Sequence, residues 1–490
     1  MMLDSIIVDK RKALLEFCMK QRVLLTKAAV EQLSDPILLD SLHERMLAGN
    51  LSADQLKVTL SPPQYPVSVV WEYDDKPGKR SLQDFVGYFN TRYNKISKLL
   101  RMRQELQNAT SISRVLASKE RQPASVIGMV VEKEVTKNDN LIITVEDPTG
   151  IIKIIITKTN PDVFAMAQDI VHDEVLGVTG TSSGTGAIFA KNIHIPDIPH
   201  MEVKKSPDEV YAVFLSCVHV GSKLFLKDAF ERFIKWIRGE QGTPEQRAMA
   251  AKVGYLFLIG DTVDGIGIYP AQEAELELKD IYAQYAEAAR LISQVPKHIP
   301  IIVSPGNHDA LRLSEPQPKL FKDYAKPLWE MPNVLMTGNP CIVNIHAKNG
   351  FPGFNILTYH GYSFDDYSEI VPSIKNSGHN CSERTPLIMR FLLQRRHLAP
   401  AHTSTLYVPD PRGDPLVIDQ IPDVFVAGHI HKAGCEVYRG VNIICCSTFQ
   451  ARTDFQERVG HMPDPGKVPI MNLQTRKVTM IEFGDPAVVP

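Results

Sequence analysis

Hydrophobic positions change their period twice along this chain, and each change marks a boundary. Over the first sixty residues they recur at helical spacing: Leu14, Leu15 and Phe17, then Val23 and Leu24. Ser34-Asp35-Pro36 supplies a capping side chain and a first-turn proline. Leu38, Leu39, Leu42 and Met46 then share one face, and Gly49 offers a stop. The pattern predicts a small helical N-terminal domain over 1–60 that carries no chemistry. Residues 61–121 read as a linker, with Pro62, Pro63, Pro66 and Pro77, running into a basic helical segment. Eleven lysines and arginines between Lys76 and Arg121 stand against Asp84, Glu105 and Glu120, with Tyr88, Phe89 and Tyr93 interleaved. Such a stretch is ordinarily a solvated helix face. It also fits a surface that tracks a nucleic-acid backbone.

Between residues 122 and 200 the period becomes that of strands. Ser125–Val131, Leu141–Val145, Ile151–Ile156, Glu174–Val178 and Ala187–Ile193 are five short β runs, with an Asp147-Pro148-Thr149-Gly150 turn between two of them. A helical insert, Pro161–Ile170, separates the third run from the fourth. Five strands with a helix after the third predict an OB-type β-barrel, a fold that often binds oligonucleotides and elsewhere serves protein contacts.

From residue 205 to 490 the runs are short, apolar and each ended by glycine and polar residues. Tyr211–Leu215 leads into Ser216-Cys217-Val218-His219, and Tyr255–Ile259 into Gly260-Asp261-Thr262-Val263-Asp264. Ile301–Ser304 leads to Gly306-Asn307-His308-Asp309, Phe354–Tyr359 to His360-Gly361, and Val424–Ala427 to Gly428-His429-Ile430-His431. Any one of these turns alone is ordinary punctuation. Five in succession place metal-capable side chains at strand ends, which converge on one edge of a layered sheet.

Composition narrows the class. The 490 residues exceed one ordinary core and imply two to four domains. With 44% hydrophobic and 22% charged residues the chain is globular, which excludes a disordered or collagen-like protein. Fifty-four basic residues against fifty-six acidic ones make any nucleic-acid contact a matter of local patches. No apolar run reaches the roughly 18 residues of a membrane span, and Met1–Lys12 lacks the long apolar core of a signal peptide. Seven cysteines without a CxxC read as reduced thiols, so a cytoplasmic location and no membrane partner are expected.

The five strand-end motifs resemble the calcineurin-like metallophosphoesterase family, whose pattern is D-x-H, G-D, G-N-H-D/E, H and G-H-x-H, over roughly residues 211 to 450. The resemblance implies a four-layer αββα domain. It also implies two divalent metal ions held by Cys217, His219, Asp261, Asn307, His360, His429 and His431. Asp261 falls on the metal-bridging carboxylate and His308 on the catalytic histidine. Paired ions about 4 Å apart suit the attacking and leaving oxygens of a phosphoryl centre, and mixed imidazole and oxygen ligands favour Mn²⁺, with Zn²⁺ or Fe as alternatives. Cys217 departs from the pattern, which has aspartate there. A thiolate is a soft ligand poorly matched to Mn²⁺, so one metal position is weakened or Zn²⁺ is selected. Asp264, Asp309 and Asp366 are expected to orient the ligands.

The words around those motifs are more specific. His219–Lys223, Asp264–Pro270, His360–Asp366, Leu392–Pro400 and Ser447–Gln450 resemble the small-subunit family of archaeal family-D DNA polymerases, as does the order of the domains. That implies an archaeal replication protein of α+β/α/β multidomain class, with a helical domain, an OB-type barrel over 122–200 and a phosphoesterase domain over 205–490. It implies a metal-dependent 3′→5′ exonuclease that removes nucleotides from the 3′ end of single-stranded DNA. The proofreading would serve a large catalytic subunit using Mg²⁺, with a sliding clamp a further candidate partner. Arg395, Arg396 and Lys223 are candidate DNA contacts, and Arg395, Arg396 and His397 are candidates for a phosphate clamp or a subunit contact, with plain surface charge equally open. Two rival readings stand beside this one. Cys217 fits a non-catalytic scaffold with a degraded metal site, and a small-molecule phosphatase would share the metal motifs but has no use for the first 200 residues.

Overall fold

The computed structural model describes residues 2–21, 23, 33, 36–52, 65–75, 78–348, 350–380, 382–410, 412–458 and 460–484. Leu24, Ser34, Asp35, Pro62, Pro63, Lys76 and Pro77, all named above, lie outside them. The chain divides into two compact units, Met1–Tyr65 and Pro66–Pro490. In the first, helices Met2–Lys20 and Pro36–Leu47 bury Leu14, Cys18, Leu39 and Leu42 against Leu33 and Leu51. Gly49, at φ 68°, ends the second helix, its N–H donating to the Met46 carbonyl.

The second unit opens with a strand inside the stretch read as a linker. This strand, β1 (Val67–Glu72), belongs to a sheet whose other members come much later in the chain. Next, the helix Leu82–Leu100 starts with a reciprocal cap, in which the Asp84 carboxylate accepts the Ser81 N–H at 2.7 Å. Its Tyr88, Arg92, Ile96 and Leu100 recur every four residues and are buried. Tyr93 donates to the Ile127 carbonyl at 3.2 Å. Tyr88 is thus buried and Phe89 and Tyr93 are half-buried, while Leu82 and Val86 of the same helix stay exposed.

Strands β2 (Pro123–Val135), β3 (Leu141–Asp147), β4 (Gly150–Ile156), β5 (Val175–Ser182) and β6 (Ala187–His194) form a closed barrel in the order β2-β3-β4-β6-β5. The β4–β6 pairing is parallel and the others antiparallel, with helix Pro161–Gln168 between β4 and β5. Alternation sets the lining: Ile152, Ile154 and Ile156 point in, while Ile151 and Lys153 point out.

The remaining strands are β7 (Tyr211–Leu215), β8 (Val253–Ile259), β9 (Ile301–Ser304) and β10 (Val334–Met336), then β11 (Cys341–Ile345), β12 (Phe354–Tyr359) and β13 (Val424–Ala427), and finally β14 (Gly434–Tyr438), β15 (Val441–Cys445), β16 (Lys467–Asn472) and β17 (Val478–Glu482). With β1 they make two six-stranded sheets, ordered β10-β9-β8-β7-β16-β17 and β1-β11-β12-β13-β15-β14. The five motif-bearing strands thus do not end on one sheet, because β7, β8 and β9 belong to the first and β12 and β13 to the second. Parallel strands are buried on both faces, so their runs are apolar throughout and give no phase that would separate the sheets. Helices Lys227–Ile237 and Ile281–Ile292 cover the first sheet with Phe230, Phe233, Trp236 and Tyr285. Helices Phe364–Ile370 and Thr385–Arg395 cover the second with Phe364, Tyr367, Ile388 and Leu392. Between the layers, the Tyr255 hydroxyl meets His346 Nδ1 at 3.1 Å. Among the described residues no helix is long and apolar enough to cross a membrane.

A buried ionic knot joins these parts. Arg92 Nε donates to Asp414 at 2.6 Å and its Nη1 to the Pro400 carbonyl at 2.7 Å, both charged side chains being fully buried. His397 Nε2 meets the same Asp414 oxygen at 2.7 Å.

Candidate metal centre

Each candidate ligand follows the C-terminal end of its strand: Cys217 and His219 after β7, Asp261 after β8, Asn307 and His308 after β9, His360 after β12, and His429 and His431 after β13. Cys217, His219, Asp261, His429 and His431 all hold positive φ, between 51° and 68°. Non-glycine residues adopt that region at a cost, and such strain collects where side chains must be aimed. The glycines beside them are needed for closeness: a methyl on Gly260 would run into the His360 ring, and one on Gly306 into the Asp261 carboxylate.

Asp261 divides its oxygens between two tasks. Oδ1 accepts the His308 N–H at 2.8 Å. Oδ2 lies 3.1 Å from His360 Nε2, 3.8 Å from His219 Nε2 and 3.9 Å from Cys217 Sγ. On one side of that oxygen, the ligand atoms of Cys217, His219 and His431 lie within 4.8 Å of one another. On the other, Asn307 Oδ1 sits 2.9 Å from His360 Nε2 and 3.1 Å from His429 Nδ1. Two buried ligand sets therefore meet at a single carboxylate oxygen.

Hydrogen bonding fixes which ring nitrogens are free. His360 Nδ1 faces the Ile259 carbonyl at 3.0 Å and must donate, because a carbonyl only accepts. His219 Nδ1 donates to Asp264 Oδ1 at 3.0 Å, and His429 Nε2 to Asp365 Oδ2 at 3.0 Å. In each neutral ring the lone pair then falls on the nitrogen aimed at the centre. With the rings in that tautomer, His360 Nε2 and His429 Nδ1 present lone pairs beside the Asn307 oxygen and Asp261, a donor set suited to a cation. The residues present thus fit a pair of divalent ions. Burial opposes charge on Asp261, yet His360, His308 and His219 hold its carboxyl well below the usual range. Burial likewise opposes charge on His360, but Asp261 outweighs it and raises the imidazole. Cys217 behaves otherwise, since burial, reinforced by Asp261, pushes its thiol well above the ordinary value. Without a cation it is a neutral ligand, held by the His429 N–H at 3.3 Å.

His308 stands beside the ligands with part of its ring open to solvent. Its Nδ1 donates to the Asp264 carbonyl at 2.8 Å, leaving Nε2 available. Asp264 thus sets the tautomers of His219 and His308 together, itself held by Gln450 at 3.0 Å and Gln272 at 3.2 Å. Asp309 accepts the Gly306 N–H at 2.9 Å and the Tyr285 hydroxyl at 3.0 Å. Burial and Asp261 raise its carboxyl to about 6.

Several expectations change here. Asp365, not Asp366, orients a ligand, and Asp366 Oδ2 is buried without a partner. Gln456, which sequence reading missed, lies 2.7 Å from His431 Nδ1. Arg395 and Arg396 are not surface cations. Both are buried, Arg395 pairing with buried Glu174 at 3.1 Å and Arg396 donating to the Ile418 and Asp419 carbonyls at 2.8 Å. Buried in this way, neither guanidinium is presented at the surface to a phosphate. Lys223 is exposed, its Nζ donating to the Ala274 carbonyl at 2.9 Å.

The profile of the calcineurin-like phosphoesterase family matches residues 211–433. The chain is 41% identical over 400 residues to the DNA polymerase II small subunit of Methanothermobacter thermautotrophicus, covering 82% of this chain and 79% of that relative. It is 36% identical over 431 residues to the protein of that name from Pyrococcus furiosus, covering 87% and 67%. The counterpart in Archaeoglobus fulgidus is 41% identical over 400 residues, covering 81% and 77%.

Proposed function

The chain belongs to the family of DNA polymerase II small subunits, and from that premise we propose that it is a metal-dependent 3′→5′ exonuclease proofreading for a large catalytic subunit. The observation that carries the activity is the pair of ligand sets meeting at Asp261 Oδ2 with His308 beside them. Cys217, His219, Asp261 and His431 would hold one ion, and Asp261, Asn307, His360 and His429 the other, Mn²⁺ being preferred by the mostly nitrogen and oxygen donors. When bound, two such ions supply positive charge for the attacking and leaving oxygens of a phosphodiester. His308, its Nδ1 proton anchored on Asp264, presents Nε2 to the open side, where it stabilises or protonates the leaving oxygen of the last 3′ linkage. Asp264 keeps that ring and His219 in register.

The order of the five-stranded barrel supports the OB-type reading, and the reading adds a single-strand contact near the nuclease. Residues 1–60, 61–121, 122–200 and 205–490 remain the proposed divisions, with β1 lent by the second to a sheet of the fourth.

Purified chain with Mn²⁺ should shorten 5′-labelled single-stranded DNA as a 3′→5′ ladder, releasing 5′-mononucleotides. No ladder, even with the large subunit added, would leave only a scaffold role. Cys217→Asp should lower the Mn²⁺ concentration for half-maximal cutting by about tenfold, because a hard carboxylate replaces a buried neutral thiol. A ladder that appears only in Cys217→Asp would mean that the native site has lapsed.

A further inference from the structure

A groove of about 430 Å³ opens beside His308, lined by Ile266, Ile268, Ile281, Leu311, Phe321 and Tyr324. Its size falls within the roughly 300–1,000 Å³ of ligand-holding clefts. Ile266, Phe321 and Tyr324 are 45%, 47% and 37% exposed, although a large apolar side chain is ordinarily covered by its own chain. Tyr282, 55% exposed, continues the surface with its ring 5.6 Å from that of Tyr324.

The groove is fixed in place. Gly265 and Gly267 hold φ of 74° and 75°, and a methyl on Gly265 would run into the His308 carbonyl oxygen. Gln284 clamps the same loop, accepting the Gly265 N–H at 2.9 Å and donating to its carbonyl at 3.1 Å. The cation on its wall, Arg312, is bound bidentately to Asp75 at 2.8 and 3.1 Å and to the Pro316 carbonyl at 2.8 Å, so it is not held ready for a phosphate. What remains is aromatic and branched aliphatic surface, the chemistry of nucleobase faces. The groove shares His308 with the reaction site, so a nucleotide joined to the scissile linkage lies within its reach. Stacking accepts every base, as a proofreading site must.

Resting on the exonuclease reading, we propose that this groove takes up the unpaired bases at the DNA 3′ end. Phe321 and Tyr324 stack against them and set the last linkage at His308. A paired terminus keeps its bases inside the duplex, so frayed ends are preferred.

The test uses the full chain with Mn²⁺, a 5′-labelled oligonucleotide, the same oligonucleotide with its last two positions abasic, and bis(p-nitrophenyl) phosphate. Phe321→Ala combined with Tyr324→Ser should lower kcat/KM on the ordinary oligonucleotide by roughly 10- to 100-fold, chiefly through KM. Hydrolysis of the small diester, which brings no neighbouring nucleotide into the groove, should fall far less, and restoring the ring as Phe321→Ala with Tyr324→Phe should recover part of the loss. The native chain should cut the abasic-ended strand as poorly as the double variant cuts either strand. Equal cutting of normal and abasic ends by the native chain would overturn the proposal. So would a double variant that keeps DNA cutting but loses the large subunit, since the groove would then be a subunit face. A native chain that cuts neither DNA nor the small diester contradicts the exonuclease reading instead. Stacking is then read from a 3′-terminal 2-aminopurine, quenched by the native chain but not by the double variant; absence of quenching overturns the groove.

Discussion

Asp261→Asn should lose strand cleavage by roughly three orders of magnitude or more, the scale of several kcal/mol of charge stabilisation at the reacting phosphate. The substitution is nearly isosteric. Asparagine still offers an oxygen to the His308 N–H, so the fold and the His308 loop should persist. What disappears is the charged Oδ2 on which both ligand sets converge. Metal content after dialysis separates this effect from misfolding, and it should fall from two Mn²⁺ per chain to less than one, with an unchanged melting transition in chelator. His308→Ala provides the contrast, keeping its metal while losing about 10²- to 10⁴-fold in rate, the usual range for a removed proton donor. If Asp261→Asn cuts DNA at near-native rate, or if His308→Ala loses metal as completely as Asp261→Asn does, the assignment of roles at this centre is wrong.

The centre was legible because its grammar is local. An apolar run ended by glycine and a polar cluster is visible within ten residues, and five repetitions in order point to a metallophosphoesterase-type site without a structure. The groups that make it work are less visible. Asp365 and Asp366 are neighbours on one short helix, and only the pitch of that helix decides which reaches His429. Gln456 belongs to no recognisable word and acts only because its loop returns to His431. Pairings between distant segments left no trace at all. Strand β1 hides among prolines and pairs with β11 more than 260 residues later, so its strand character comes from a partner rather than from its own pattern. Charge was misread for the same reason. Arg92, Arg395 and Arg396 look like a basic surface in sequence, but Asp414, Glu174 and the carbonyls that bury them are remote.

Arg92→Ala should be among the most destabilising single substitutions in the second unit, by about 3–5 kcal/mol at pH 8, because it strands a buried carboxylate. Asp414 has burial against it, and His397 and Arg92 together keep it well below the usual carboxylate range. Burial, with Arg92 next, depresses His397 to about 4. In the native chain this histidine therefore stays neutral while an unfolded one takes up a proton below about 6.5, so its contribution to stability falls as pH drops from about 6.5 to about 4. Removing Arg92 reverses the sign. Asp414 then faces His397 alone at 2.7 Å, the folded pKa rises above the unfolded one, and stability is gained as pH falls. The deficit of Arg92→Ala should accordingly shrink by on the order of 2 kcal/mol between pH 8 and pH 5. Paired replacement, Arg92→Met with Asp414→Leu, should cost less than either single change at pH 8, since it leaves no buried charge unmatched. Urea unfolding of the native chain and of these variants at both pH values decides the matter. A deficit that is constant from pH 8 to pH 5 would mean that His397 does not take over the pairing, and the knot would then be held by packing around Tyr88 and Tyr407 rather than by charge.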